Sequence, residues 1–386
     1  MSPGIVWMLR RAFGPPEPPN PPAPGVDPAE ALALCGRFDL AGRVAARQGR
    51  PRLAAELGEE GARGFARAQA TAAGMGMRLS ALASRLAEAA AERGIPLIFL
   101  KFAALELSGA LLPGGRSACD VDVLVPVERS TELQAALAAR GFTASGLPGL
   151  EHQLPALAGP EGVVELHRVL LGVRLDGHRS AAFTDLLRQD LLSPLIHLPG
   201  RAAIPAPPVA AAYALVHGLG QHGWWPKSYS LFKMVGDLID LIDLEDLALW
   251  RRLGSWIAAD VPPAEVEAVR LLARALAAGD DLAAWGVSSE PPALLLRHLL
   301  AGLLDPGYER SLRLGLFRSS PSDRPAPARL ARTLLRTVVL TRGQVDALYG
   351  PPRGGALGYL GRRLWRPLDL AGRLVRYGAS AWKTRS

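Results

Sequence analysis

The chain of 386 residues is 49% hydrophobic and 21% charged, enough apolar material for one large core or two modest ones, which excludes a disordered chain and a disulfide-stapled miniprotein. Its two cysteines, Cys35 and Cys119, are too few for a disulfide framework or a four-cysteine zinc site and point to a reducing, cytoplasmic setting. The net charge is +8, and with no run of about 18 uncharged apolar residues and no apolar stretch behind the first arginines, neither a spanning helix nor a secretory signal is expected.

The proline-rich segment 15–24 (PPEPPNPPAP) suits neither helix nor ladder, and residues 1–26 are read as a disordered lead-in. Ala, Leu, Glu and Arg dominate residues 27–94, and 79–93 carries apolar residues at helical spacing, so this segment is read as helical. The pattern then changes. Residues 95–100 (IPLIFL) form a short apolar strand, 103–112 suit a helix, 120–126 (DVDVLVP) alternate as a strand, 128–140 form an amphipathic helix and 162–166 (GVVEL) a further strand. This β-α-β-α-β centre occupies 95–180. Past 180 no comparable strand signal occurs, and the spacing over 207–222, 228–244, 245–257, 263–277 and 291–304 predicts a helical domain, 181–310.

Residues 311–386 are read as a basic helical tail. Residues 313–386 hold 15 Lys/Arg against 3 Asp/Glu, a local net of +12 that leaves −4 for the rest. Arginines there alternate with Leu, Trp365, Tyr377 and Trp382, a pattern that fits an ordinary surface helix, an anionic membrane surface or an acidic partner. Only four lysines accompany 40 arginines, at 101, 227, 233 and 383.

The chemistry concentrates in the centre. Period-2 geometry puts Asp120 and Asp122 on one face of a strand and Val121, Val123 and Val125 on the other. Paired carboxylates repel unless a cation or an arginine neutralises them, and hard oxygens suit Mg²⁺ or Mn²⁺ carrying nucleotide phosphates; a solvated strand end or a salt-bridged pair is the plainer alternative. Glu165, between Val164 and Leu166, adds a third acid whose burial is unfavourable unless it is paired or metal-bound. Lys101 ends the first strand just before a helix, a place to meet phosphate oxygens, and Arg116 precedes the acids behind Pro113-Gly114-Gly115.

Further residues carry two readings each. His167 shares a face with Glu165 by alternation, which suits either orienting a phosphate or ligand, or a satisfied structural role. Cys119 reads as a packed small residue. His217 and His222 are five apart, the wrong spacing for paired helical zinc ligands. Lys233 and Asp237 have the i, i+4 spacing of an ordinary helix ion pair, and the acids of 237–246 read as a solvated helix face because the order of a calcium loop is missing.

Leu100-Lys101-Phe102, then Arg116 followed by Asp120-Val121-Asp122-Val123-Leu124-Val125, then Glu165-Leu166-His167 resembles the polymerase-β-like nucleotidyltransferases. Within them it is similar to a poorly characterised bacterial branch with LKG, R-x-x-x-D-[IV]-D-x-[LV]-V and ELH in that order. Phe102 stands at the glycine of that branch. The segments from His217 to His222, from Lys233 to Leu238 and Tyr359-Leu360-Gly361-Arg362 are also similar, so the resemblance covers about residues 30–370, with its specific part in 99–167.

The resemblance implies an α+β fold: a small mixed β-sheet with helices on one side, plus a large helical remainder that closes over the nucleotide. It implies metal-dependent transfer of an NMP from an NTP to an unidentified acceptor hydroxyl on a protein, peptide, RNA or small molecule, with pyrophosphate leaving. Asp120, Asp122 and Glu165 would hold two Mg²⁺, Lys101 and Arg116 would act as electrostatic clamps, and Lys233 would reach the triphosphate from the helical half. Two other classes stay open. One is a DxD nucleotide-sugar glycosyltransferase, which needs a longer nucleotide-binding region ahead of the motif; the other is a non-catalytic scaffold of a biosynthetic cluster.

Overall fold

The computed structural model describes residues 3–15, 26–144, 152–175, 180–221, 231–258, 260–280, 296, 357–361 and 364–365. Its first element departs from the expected lead-in: α1 (Pro3–Phe13) is a helix that buries Trp7, Met8, Leu9, Ala12 and Phe13. Proline in the first turn lacks an N–H that would have no partner there anyway. The proline run that dominates the composition starts only after this helix, and its residues 16–25 lie outside the described residues. α2 (Pro28–Arg37) starts at Asp27, whose carboxylate accepts from the amides of Ala29 and Glu30.

α3 (Ala41–Gln48) and α4 (Arg50–Ala91) follow, and α4 is two helices joined at Gly58, where φ 74 and ψ 168 break the helical path. α1 is fastened to α4 by a buried carboxylate. Glu56 accepts from Trp7 Nε1, Arg11 Nε and Arg52 Nε, each at 3.0 Å.

The centre contains β1 (Leu97–Phe99), α5 (Lys101–Leu107), β2 (Asp120–Leu124), α6 (Ser130–Ala138), β3 (Thr143–Ala144), β4 (Leu157–Gly159) and β5 (Gly162–His167). β6 (Val169–Leu171), β7 (Ser180–Ala182), α7 (Phe183–Arg188), β8 (Leu192–Pro194) and β9 (Ala202–Pro205) come next. The main sheet has the order β3-β4-β5-β2-β1-β9-β8, with β2 parallel to β5, β1 parallel to β9 and the other neighbours antiparallel; β6 and β7 form a separate pair. The fold is α+β.

The strands past residue 180 correct the expectation of helix alone there. Each is only three or four residues long, and prolines at 194 and 205 end two of them, so no alternation is long enough to register.

Alternation decides what each sheet face meets. Val121, Val123, Val125, Val164 and Leu166 pack with Leu79, Leu82 and Leu86 of α4 and Leu133 and Leu137 of α6. The opposite face carries Asp120, Asp122, Glu165 and His167, while Ile98, Leu100 and Leu124 of that face join the larger core of the flanking helices.

The remainder is helical, as its spacing predicts: α8 (Pro207–Leu215) running into a π-helical turn (Val216–Gln221), α9 (Leu231–Leu241), α10 (Leu247–Ile257) and α11 (Pro263–Ala278). The helix expected over 291–304 lies outside the described residues apart from Leu296, and of the tail only the helical residues 357–361 and 364–365 are described. No helix among the described residues is long and apolar enough to cross a membrane.

Glu56→Ala removes one carboxylate from two arginines that are about nine-tenths buried. It is expected to lower the unfolding free energy by about 3 kcal/mol, measured as a lower urea midpoint with an unchanged slope.

Candidate functional site

The parallel pairing of β2 with β5 is in register: Asp120 lies opposite Val163, Asp122 opposite Glu165 and Leu124 opposite His167. Asp122 and His167 are buried, and Asp120 and Glu165 half-buried. One oxygen, Asp122 Oδ1, is 2.7 Å from Lys101 Nζ and 2.8 Å from His167 Nε2. His167 Nε2 is also 3.7 Å from Glu165 Oε2. Ligating atoms of Asp122, Glu165 and His167 all lie within 4.8 Å of one another.

An ionised carboxylate accepts only, so His167 donates from Nε2 and leaves Nδ1 buried without a hydrogen-bond partner among the described residues. The imidazole is fixed by stacking on His152 at 6.2 Å and by the edge-on ring of Tyr213 at 6.4 Å. Sequence reasoning passed over both neighbours. Tyr213 sits on a helix with no charged residue to mark it, and His152 comes to His167 through an isolated bridge, Gln153 to His167, with no strand pattern around it.

The three acids are not equivalent. Burial opposes the charge of Asp122, but the ammonium of Lys101 and the hydrogen bond from His167 outweigh it and hold the carboxyl well below the ordinary range. Burial pushes Glu165 up to about 7, helped by the charge of Asp122 and opposed by Lys101. Asp120 is also raised, by burial and then by Asp122. Burial acts to lower Lys101, yet Asp122 chiefly, with Tyr213 and Glu165, raises it, so it stays an ammonium.

The other candidates fall elsewhere. Arg116 Nε is 2.9 Å from Asp237 Oδ1, both side chains are buried, and its guanidinium lies over the Phe102 ring at 5.5 Å. Arg116 is thus held in an ion pair with Asp237, and its charge also reaches Asp120. Lys233 does not pair with Asp237 along its helix: it forms an ion pair with Asp39 and lies 3.3 Å from the carbonyl and hydroxyl oxygens of Ser117, which itself donates to Asp39 at 2.7 Å. Asp240 is taken by Arg43 at 2.6 and 2.9 Å.

The solvated helix face expected over 237–246 is therefore corrected at its start. Both its first acids meet arginines from outside the helix, and spacing within one helix cannot show that. His217 is buried on the π-helical turn, and His222 lies outside the described residues.

The loop bearing Arg116 and Ser117 fits tightly. A Cβ on Gly114 would come within 2.3 Å of the Gln69 carbonyl oxygen, and one on Gly42 within 2.3 Å of the Gly114 carbonyl oxygen, so glycine is required at both positions. Phe102 faces away from the acids into the core, its ring tip within 3.6 Å of where a Cβ on Gly76 would stand. Beside Lys101 a small, partly open cavity is lined by Leu100, Leu105, Tyr213, His217 and Asp237, among others. Cys119 is exposed, and burial followed by the charge of Asp120 raises its thiol, which agrees with a thiol and not a thiolate.

The family described as "Uncharacterised nucleotidyltransferase" matches residues 24–256, more than half of the chain. The chain belongs to this nucleotidyltransferase family. No curated protein and no solved structure matches it. In this chain the match takes in β2, β5 and Lys101 together with the helices that fasten the loop ahead of Asp120.

Two measurements separate the acids. Asp120 carries a raised folded-state pKa, so its charge opposes folding at neutral pH and Asp120→Asn is expected to raise the melting temperature. Asp122→Asn leaves the buried ammonium of Lys101 without its anion and is expected to lose about 3 kcal/mol; the two thermal shifts should have opposite signs.

In EDTA, Glu165 contributes stability below its ordinary range, and this is lost as pH rises through about 7. The melting temperature of wild type should therefore fall relative to that of Glu165→Gln as pH rises from about 4.5 to about 7, and the difference should level off above that.

Proposed function

We propose that the protein transfers a nucleoside monophosphate from a nucleoside triphosphate to an acceptor hydroxyl at the face formed by Asp120, Asp122 and Glu165. The observation that carries this reading is the in-register pairing of Asp122 with Glu165, beside Asp120, against the single ammonium of Lys101. Three carboxylates and one ammonium leave a formal charge of −2 in a place half removed from water, which calls for a divalent cation. Asp122 and Glu165 offer hard oxygens at close range with the His167 imidazole beside them, and Asp120 lies two residues ahead of Asp122 on the same strand; the carboxylates suit Mg²⁺ or Mn²⁺. Such an ion, when bound, supplies a Lewis acid for the triphosphate oxygens and for the acceptor hydroxyl.

The chain's own groups do the positioning. His167 fixes the plane of Asp122 through Nε2, as outer partners of ligating groups do. Lys101 presents a positive charge between the acids and the cavity, where phosphate oxygens would gather. Arg116 and Lys233 hold the loop that leads into β2, so their contribution is to alignment. The acceptor oxygen forms its bond to the α-phosphorus as the bond to pyrophosphate breaks, and the hydroxyl proton passes to solvent.

The test is thermal stabilisation by each of the four ribonucleoside triphosphates, with Mg²⁺ and with EDTA, on wild type and on Asp120→Asn. This variant is the informative one because it should fold at least as well as wild type. A Mg²⁺-dependent rise with a triphosphate, lost in Asp120→Asn, is expected; a flat response of wild type to all four would overturn the reading.

A further inference from the structure

The next step rests on the reading above and concerns what occupies the acids before any nucleotide arrives. Three observations meet at Lys101. Its backbone has φ 49, a left-handed conformation that is uncommon outside glycine. The turn comes directly after β1, where the Leu100 amide donates to the Asp122 carbonyl at 2.9 Å, and so the side chain starts beside the carboxylate it meets. Its ammonium lies 2.7 Å from Asp122 Oδ1 with only 16% of the side chain exposed. The same residue lines the adjoining cavity.

Asp122 Oδ1 takes contacts from both Lys101 and His167, and two N–H donors occupy both lone pairs of one oxygen. A metal ion that takes this oxygen must therefore remove a donor. His167 is the fixed one: it is 2% exposed, and its strand pairs residue by residue with β2. Lys101 is the movable one, a point charge on a four-carbon stem beside a small, partly open cavity.

We propose that Lys101 is a built-in counter-cation, standing on Asp122 in the unloaded protein and displaced onto phosphate when a divalent metal and a polyphosphate chain enter together. The ammonium holds the affinity for metal alone low. The incoming phosphate gives it a new partner, so metal and triphosphate bind with positive cooperativity. Lys101 is in this sense a positioning residue whose charge is never left unpaired.

Titration of wild type and Lys101→Met with Mn²⁺, followed by electron paramagnetic resonance, with and without inorganic tripolyphosphate, tests this independently of turnover and of the nucleobase. Without tripolyphosphate, Lys101→Met should bind Mn²⁺ roughly tenfold tighter than wild type, and tripolyphosphate should tighten Mn²⁺ binding in wild type far more than in the variant. Equal or weaker Mn²⁺ binding by a folded variant overturns the displacement while leaving the metal reading intact. Absence of Mn²⁺ binding by both proteins, with tripolyphosphate present, overturns the metal reading itself.

A second measurement needs no functional variant. With lysines at only four positions, wild type labelled with ¹³C at lysine Cε gives few signals. The one assigned to Lys101 should move when Mg²⁺ and tripolyphosphate are added together, and an unmoved signal at saturating Mg²⁺ and tripolyphosphate overturns the proposal.

Discussion

Two carboxylates that a parallel strand pair sets side by side repel one another, and the backbone register gives them no way apart. At about 4 Å and an effective dielectric constant near 20, such a repulsion is on the order of 4 kcal/mol. The surroundings of Asp122 and Glu165 read as answers to this one strain. Lys101 leaves its strand through a left-handed residue to neutralise one acid, His167 donates to the same oxygen, and Glu165 keeps its proton to a higher pH than a free glutamate. The acids survive in the apo fold because they divide into one firmly ionised member and one that readily accepts a proton.

The sheet keeps this arrangement in place from its other side. Valines at 121, 123 and 125 and the apolar pair Val164 and Leu166 lie in a continuous core with α4 and α6, so slipping β2 by one residue would bury carboxylates among leucines and expose valines to the site. Register and charge placement are thus secured by the same alternation. That alternation is also why the site can carry unfavourable electrostatics without losing its geometry.

Much of this was legible in the sequence, for definite reasons. The three central strands are short apolar or alternating runs, and the alternation of DVDVLV states which face bears the acids. The resemblance through Lys101, Asp120, Asp122, Glu165 and His167 supplied the family. What stayed hidden depends on partners distant in the chain. Arg116 meets Asp237, Lys233 meets Asp39, and Arg43 meets Asp240; local spacing offered Lys233 a nearer acid on its own helix and gave the wrong answer. α1 was hidden by the prolines that follow it, and β8 and β9 by their brevity. β9 is nevertheless a parallel neighbour of β1, so the sheet extends past the point where its signal in the sequence fades.

The short stretch ahead of Asp120 is clasped from two directions. Asp39, at the end of α2, and Lys233 and Asp237, on α9, all grip Arg116 or Ser117, a few residues before the first carboxylate. The entry to β2 therefore works as a strain gauge between the N-terminal helices and α9: a change in their spacing pulls on the strand end that carries Asp120. Exposed Cys119 sits on that gauge, between the clasp and the acid, as a native attachment point from which such a displacement can be read.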